Sequence, residues 1–252
     1  MTALSYQLYS SRAFAPLVDT LAMLKRLGYA EVEGYGGLYG DPASLKSALD
    51  DSGLAMTSGH FDLDMLEEDP QKVLEIAGIL GMKAVYCPYL APEQRPVDKS
   101  GWRAFGARLQ QAGAPLREAD LIFGWHNHDY EFVPFADGTV PLDALFDGGA
   151  DLSWEVDIAW IVRAGADPLN WIERHGARID AVHIKDIAPD GQCVDEDGWA
   201  DVGHGTLDWP MIWNRILRDT SARHFVMEHD NPGDHERFAR RSLEALAIFG
   251  NA

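Results

Sequence analysis

Cysteine is scarce in this chain: Cys87 and Cys193 are the only two among 252 residues. So few thiols suit a reducing compartment and exclude a fold stapled by a disulfide framework, although sequence alone leaves one bond between them open. Long apolar runs are missing as well. Nothing approaches the roughly 20 residues that a bilayer-spanning helix needs, so no membrane partner is expected. Met1-Thr2-Ala3-Leu4 lacks the basic region and apolar stretch of a signal peptide, and the chain is expected to be cytoplasmic. Positive charge is in short supply, with 21 Lys and Arg against 40 Asp and Glu and a formal charge of −19. A nucleic-acid backbone would be repelled by such a surface, and the pairs Arg240-Arg241 and Arg215/Arg218 read as solvated helix faces. No linker, low-complexity tract or break in composition divides residues 1–252, which predicts a single domain.

What is present is an alternation. Short apolar or β-branched runs at 5–9, 30–34, 54–58, 83–88, 119–125, 152–157, 181–185 and 224–228 alternate with helical patterns. The helices read at 15–27, 44–49, 70–80, 101–117, 142–146, 168–174, 209–217 and 236–248. Glycines at 28, 53 and 81 mark helix ends. Alternating strands and helices predict a parallel sheet covered by helices, and eight units within about 250 residues predict closure into a (β/α)8 TIM barrel. The longest irregular stretch, Asp190 to Asp201, follows the seventh strand and reads as either a lid or a solvated loop. The glycine-rich run at 36–40 reads as a flexible turn.

Four successive strands stop on residues able to bind a metal. Leu121–Trp125 leads into His126-Asn127-His128 with Glu131 beyond, Leu152–Val156 ends in Asp157, Ala181-Val182 gives way to His183-Ile184-Lys185-Asp186, and Phe225–Met227 ends in Glu228-His229-Asp230. In a parallel barrel these ends converge on one face, where such enzymes carry their chemistry. Asp157, His183 and Glu228 supply two carboxylates and an imidazole, a mixed O/N set that suits one divalent metal (Mn2+, Mg2+, Co2+, Zn2+ or Fe2+) without choosing among them. At the fifth strand His126, His128 or Glu131 can complete the set: the two histidines share a face if the strand continues, and Glu131 can fold back from beyond it. At least one of these three side chains is expected only to hydrogen-bond a neighbouring loop.

The segments Gly-Trp-His-Asn-His-Asp-Tyr-Glu-Phe (124–132), Trp-Glu-Val-Asp-Ile-Ala-Trp (154–160), Ala-Gly-Ala-Asp-Pro (164–168), His-Ile-Lys-Asp (183–186) and Met-Glu-His-Asp (227–230) resemble those of the xylose-isomerase-like TIM barrels grouped as sugar phosphate isomerases/epimerases. The resemblance covers nearly the whole chain. It implies a divalent metal held by carboxylates after the fifth, sixth and eighth strands and a histidine after the seventh, which maps onto Asp157, His183 and Glu228. The chain departs from that pattern at the fifth strand, where His126 stands in place of a glutamate.

An ion chelated by a carbonyl and an adjacent hydroxyl acidifies the intervening C–H, and a positioned base can then remove that proton. Glu228 is the candidate base for isomerisation or epimerisation of a small carbohydrate. His128 suits elimination, as in a 3-keto-sugar lyase or dehydratase. Lys185 is expected to hold a substrate oxyanion or to pair with Asp186. His60 and Glu33 are candidates for sugar hydroxyls, and Trp125, Trp154 and Trp160 for stacking on sugar C–H faces. His204 and Asp201 are weaker candidates, and His175, His224 and His235 read as structural. No Arg/Lys cluster marks a phosphate site. A repair nuclease of related architecture would need basic charge and further ligands, whereas a non-catalytic sugar-binding barrel would be expected to have lost ligands. A homo-oligomer is compatible with the sequence, which does not fix the oligomeric state.

Overall fold

The computed structural model describes residues 4–249, so Met1–Ala3, on which the signal-peptide expectation partly rests, lie outside the described residues. Eight parallel strands close into a barrel: β1 (Leu4–Gln7), β2 (Glu31–Gly34), β3 (Ala55–His60), β4 (Ala84–Cys87), β5 (Ile122–His126), β6 (Ser153–Asp157), β7 (Ile179–Ile184) and β8 (His224–Met227). Each pairs with its sequence neighbours, and β8 pairs with β1 to close the ring. The expected (β/α)8 barrel is therefore the fold. Boundaries moved where local geometry intervened. β1 ends at Gln7 because Leu8–Ser11 winds into a 3-10 turn, and β5 begins only at Ile122, after the short helix Ala114–Glu118 and a left-handed Asp120 (φ 60). Helices Leu63–Glu68 and Ile158–Arg163 were not anticipated, since six residues are too few to display a helical period.

Much of the acidic surplus starts helices. Asp41, Asp69 and Asp208 each accept a backbone N–H of the first turn, followed directly or one residue later by a proline that fits where no hydrogen bond is needed. Gly28, Gly53 and Gly81 end helices with φ of 108, 68 and 81, a region open to glycine at little steric cost.

The apolar layer between strands and helices is continuous, and two helices approach closely within it. A Cβ at Gly106, in helix Lys99–Ala112, would lie 1.9 Å from the carbonyl oxygen of Leu145, and one at Gly148 would lie 1.9 Å from that of Arg103. The Gly106→Ala variant is therefore expected to lose about 3 kcal/mol, the upper end of ordinary overpacking, and roughly 6–12 °C of Tm. Gly78→Ala is the control. It sits in helix Pro70–Leu80 with nothing within 4 Å and should gain up to about 1 kcal/mol of helix propensity. Thermal unfolding of the two variants checks both signs.

The long segment after β7 is pinned at several points. Asp186–Ile187 pairs antiparallel with Trp199–Ala200, Arg163 lies 3.6 Å over the Trp199 ring, and Asp201 and Glu196 bind Arg237 of the last helix. Cys87 is buried, Cys193 is exposed, and both are free thiols. No helix among the described residues is long and apolar enough to cross a membrane.

Candidate metal centre and cleft

Barrel strands bury one face inward and the other against helices, and this chain fills the inward face with polar groups. Glu33 on β2 reaches His183 on β7 (2.7 Å), and His60 on β3 reaches Glu155 on β6 (2.6 Å). Those strands are not neighbours, so the contacts cross the lumen. Register explains the grouping: His126 lies beside Glu155 and Asp157 beside His183 across adjacent strands.

At the C-terminal mouth, one donor atom each from His126, Asp157, His183 and Glu228 lies within 4.8 Å of the others, and all four residues are buried. His183 Nδ1 is 2.9 Å from Glu228 Oε2. Asn127 fixes Asp157 from behind by accepting its backbone N–H (3.0 Å) and donating to its carbonyl (3.1 Å), while its own side-chain oxygen also accepts the Trp154 indole N–H (2.8 Å). One oxygen of Asp157 caps the next helix through Trp160 N–H at 2.9 Å. The other, Oδ2, has no hydrogen-bond partner among the described residues, and the Lys185 ammonium is 3.6 Å away. Burial, with Glu228 adding to it, pushes the Asp157 carboxyl up to about 7 despite Lys185. An acid held in that state is relieved by a cation. Two imidazoles and two carboxylates, one with an oxygen left over, fit a divalent ion of the borderline class.

Lys185 is fully buried, yet its pKa is raised: burial alone would lower it, and the carboxylates of Asp230, Glu228 and Asp157 outweigh that. Its Nζ lies 2.6 Å from Asp230 and 3.2 Å from Glu228. The expected pairing with Asp186 does not occur, because successive side chains on an extended backbone point to opposite faces. Asp186 instead accepts the backbone N–H groups of Ile187, Gly203, Gly205 and Leu207.

Several other expected site residues are placed elsewhere. Glu131 does not join the cluster. The 3-10 turn Tyr130–Phe132 folds its carboxylate back onto the Trp125 indole N–H (2.8 Å) and the His128 backbone N–H (3.0 Å). Trp125 is buried edge-on to Phe105 of the helix layer, as alternation with inward-facing His126 requires. Trp154 likewise packs outward, against Phe146 and Trp171. Asp201 is held by Arg237 and Arg241. His175 bonds Asp143 and His224 lies 3.9 Å from Asp180, both away from the mouth, while His235, at the start of the last helix, bonds Ser11 beyond the end of β1.

Above the four-residue group opens a cleft of about 460 Å3, lined among others by Tyr9, Arg12, Tyr35, His60, Tyr89, His126, His128, Trp160, Glu228 and Asp230. The long segment supports the cleft from behind: Trp199 packs edge-on to Trp160 (4.8 Å between centroids) and its ring lies 4.3 Å from Lys185 Nζ. Within the cleft His128 stacks parallel to Tyr130 (5.9 Å between centroids), with Tyr89 and Trp160 at 5.4 and 5.1 Å. Its Nδ1 is out of water and has no hydrogen-bond partner among the described residues. Burial, then the neighbouring His126 and Lys185, holds its pKa well below the usual histidine range, so the ring is neutral.

Sequence alone assigned Glu155 and Arg12 no role, and named Asn127 and Asp230 only within the strand-end runs. For Glu155 the signal was available, since it lies two positions before Asp157 and so shares its face.

Fold and cleft together define a (β/α)8 barrel with a His/carboxylate cluster at the C-terminal mouth. The chain belongs to the xylose isomerase-like TIM barrel family, whose model matches residues 21–248. The rhizopine catabolism protein MocC of Rhizobium meliloti is 25% identical over 92% of this chain and 81% of its own length. The inosose dehydratase of Geobacillus kaustophilus is 27% identical over 68% of this chain and 62% of its own. Among solved structures, a sugar phosphate isomerase/epimerase from Parabacteroides distasonis shares the fold with a TM-score of 0.81 at 22% identity, covering 98% of this chain and 95% of that one. The IolI protein, solved with a bound zinc atom, has a TM-score of 0.74 at 14% identity, covering 99% and 98%.

Proposed function

We propose that the chain is a divalent-metal-dependent enzyme that removes the proton next to the carbonyl of a small keto sugar or keto-polyol and then expels a β-oxygen. The observation that carries this reading is the neutral, half-buried His128 ring in the wall of the cleft beside the four-residue cluster. His126, Asp157, His183 and Glu228 would hold the ion, which supplies Lewis acidity towards the substrate carbonyl.

The chain's own groups then divide the work. His128 takes the α-proton as the C–H bond breaks and the C=C bond forms, and hands it to the departing oxygen as the C–O bond breaks. Glu228 is a poor rival as base. Burial would raise its pKa, but Lys185 and His183 hold it well below the carboxylate range. Lys185 keeps Glu228 and Asp230 in place, and the Trp160 ring at the cleft wall offers a flat face to sugar C–H groups. Elimination is also the chemistry named for the Geobacillus relative.

Isomerisation is the second reading, favoured by the same geometry, because one imidazole can return the proton to the neighbouring carbon. Epimerisation would need a second base on the opposite substrate face, and Glu131, the fifth-strand carboxylate, is engaged elsewhere. The −19 formal charge disfavours a nucleic-acid substrate.

The test is elemental analysis of the purified chain, followed by incubation in deuterated water with inososes, 3-keto sugars, ketoses and aldoses. About one divalent ion per chain, solvent deuterium in a keto substrate and growth of an enone absorbance are expected. Exchange without elimination would select isomerisation. No ion and no exchange after metal is added back would overturn the proposal.

A further inference from the structure

Beside and beneath the proposed ligands lies a second polar group, Glu33, His60 and Glu155, all buried, of which His60 reaches the cleft wall. The proposed chemistry gives none of them a task. Their contacts are specific. Glu155 Oε2 lies 3.0 Å from His126 Nδ1, Glu33 Oε1 lies 2.7 Å from His183 Nε2, and His60 Nε2 sits between the carboxylates at 2.6 Å from Glu155 and 3.3 Å from Glu33. Glu33 is itself oriented by Gln7 Nε2 (2.8 Å) and the Ser58 hydroxyl (2.5 Å).

A neutral imidazole carries one N–H, and a carboxylate fixes which nitrogen bears it. The nitrogen left without hydrogen is the one able to bind a metal. His126 meets its carboxylate through Nδ1, whereas His183 meets Glu33 through Nε2 (2.7 Å) and, through Nδ1 (2.9 Å), Glu228, which as a proposed ligand would share the ion on that side. The two rings therefore face the cluster with opposite nitrogens.

We propose that Glu155 and Glu33 are positioning residues, tied together by His60, that hold His126 as the Nδ1–H tautomer and His183 as the Nε2–H tautomer. The ion is then offered Nε2 of one ring and Nδ1 of the other. This rests on the metal reading given above. It also decides against a rival use of the same atoms, because His60, His126, Glu155 and His183 form a second group with donor atoms within 4.8 Å. A neutral imidazole has one free lone pair, so His126 and His183 cannot serve an ion in each layer. The deeper layer is left to hydrogen bonding.

The experiment compares wild type, Glu155→Gln, Glu155→Ala and Glu33→Gln by Zn2+ stoichiometry, chelator-competition affinity and nitrogen-15 NMR of the ring nitrogens in the zinc-loaded chain. Circular dichroism verifies the fold of each. Wild type is expected to bind one ion, with His126 protonated at Nδ1 and His183 at Nε2. Glu155→Gln and Glu33→Gln should each weaken zinc by about 10–100-fold, and Glu155→Ala should weaken it more, because an amide oxygen still accepts the N–H while an alanine cannot. Glu33→Gln reads His183 independently should the Glu155 variants fail to fold. Affinities within twofold of wild type, the same nitrogen protonated on both rings, or two ions in wild type with one lost in Glu155→Gln would each overturn the assignment. A wild-type chain that binds no ion overturns the metal reading first, and this inference with it.

Discussion

Asp157→Ala is expected to purify with less than a tenth of the wild-type metal content and to lose activity by a thousand-fold or more, since several kcal/mol of charge stabilisation go with the ion. Its fold should persist. The substitution removes one helix cap, the bond from Trp160 N–H, which is worth about 1 kcal/mol. It also removes a buried carboxyl whose charged form is disfavoured in the metal-free chain. The two effects oppose each other. Adding a chelator should therefore lower the Tm of wild type, which loses the stabilisation that a bound ligand confers, and leave that of Asp157→Ala unchanged.

The metal-free wild type should show a further signature. Its Asp157 carboxyl is raised from 3.8 to about 7, by burial first. In that window the unfolded chain has released the proton while the folded chain still holds it, so stability falls as pH rises from about 4 to about 7. In Asp157→Ala that slope should be reduced. Full metal occupancy in the variant would sink the assignment of the site.

The barrel was legible because its signals repeat: eight apolar runs alternating with helical patterns, glycine stops, and polar residues gathered at strand ends. Side-chain alternation carries further information. Asp157 draws the eye as the end of its strand, yet the period of two that turns it inward turns Glu155 inward as well, and places Trp125 on the helix side of His126. The same rule separates Lys185 from Asp186. Position beyond a strand end could not be read in this way. Glu131 lies five residues past His126 and bends back to Trp125 through a 3-10 turn, and Asp230 reaches Lys185 only because the chain turns after β8. Neither turn carries a period. The segment at 190–201 looked irregular for a related reason, since its order comes from partners far along the chain, chiefly Arg237 and Arg163.

His128→Gln is expected to keep its metal and lose its reaction. General-base catalysis by a positioned side chain contributes roughly 10²–10⁴-fold, so kcat should fall by about that factor while metal content stays at the wild-type level. Glutamine preserves much of the ring's bulk among Tyr89, Tyr130 and Trp160, and the backbone N–H that donates to Glu131 is untouched. A collapse of the cleft is thereby separated from loss of the base. The companion variant His126→Gln should behave in the opposite order, losing metal first and activity as a consequence. Solvent deuterium exchange distinguishes the roles further. If His128 removes the α-proton, exchange and elimination disappear together. If it only delivers a proton to the leaving oxygen, exchange survives in the variant and elimination does not. Exchange and elimination both within threefold of wild type would return the role of base to Glu228.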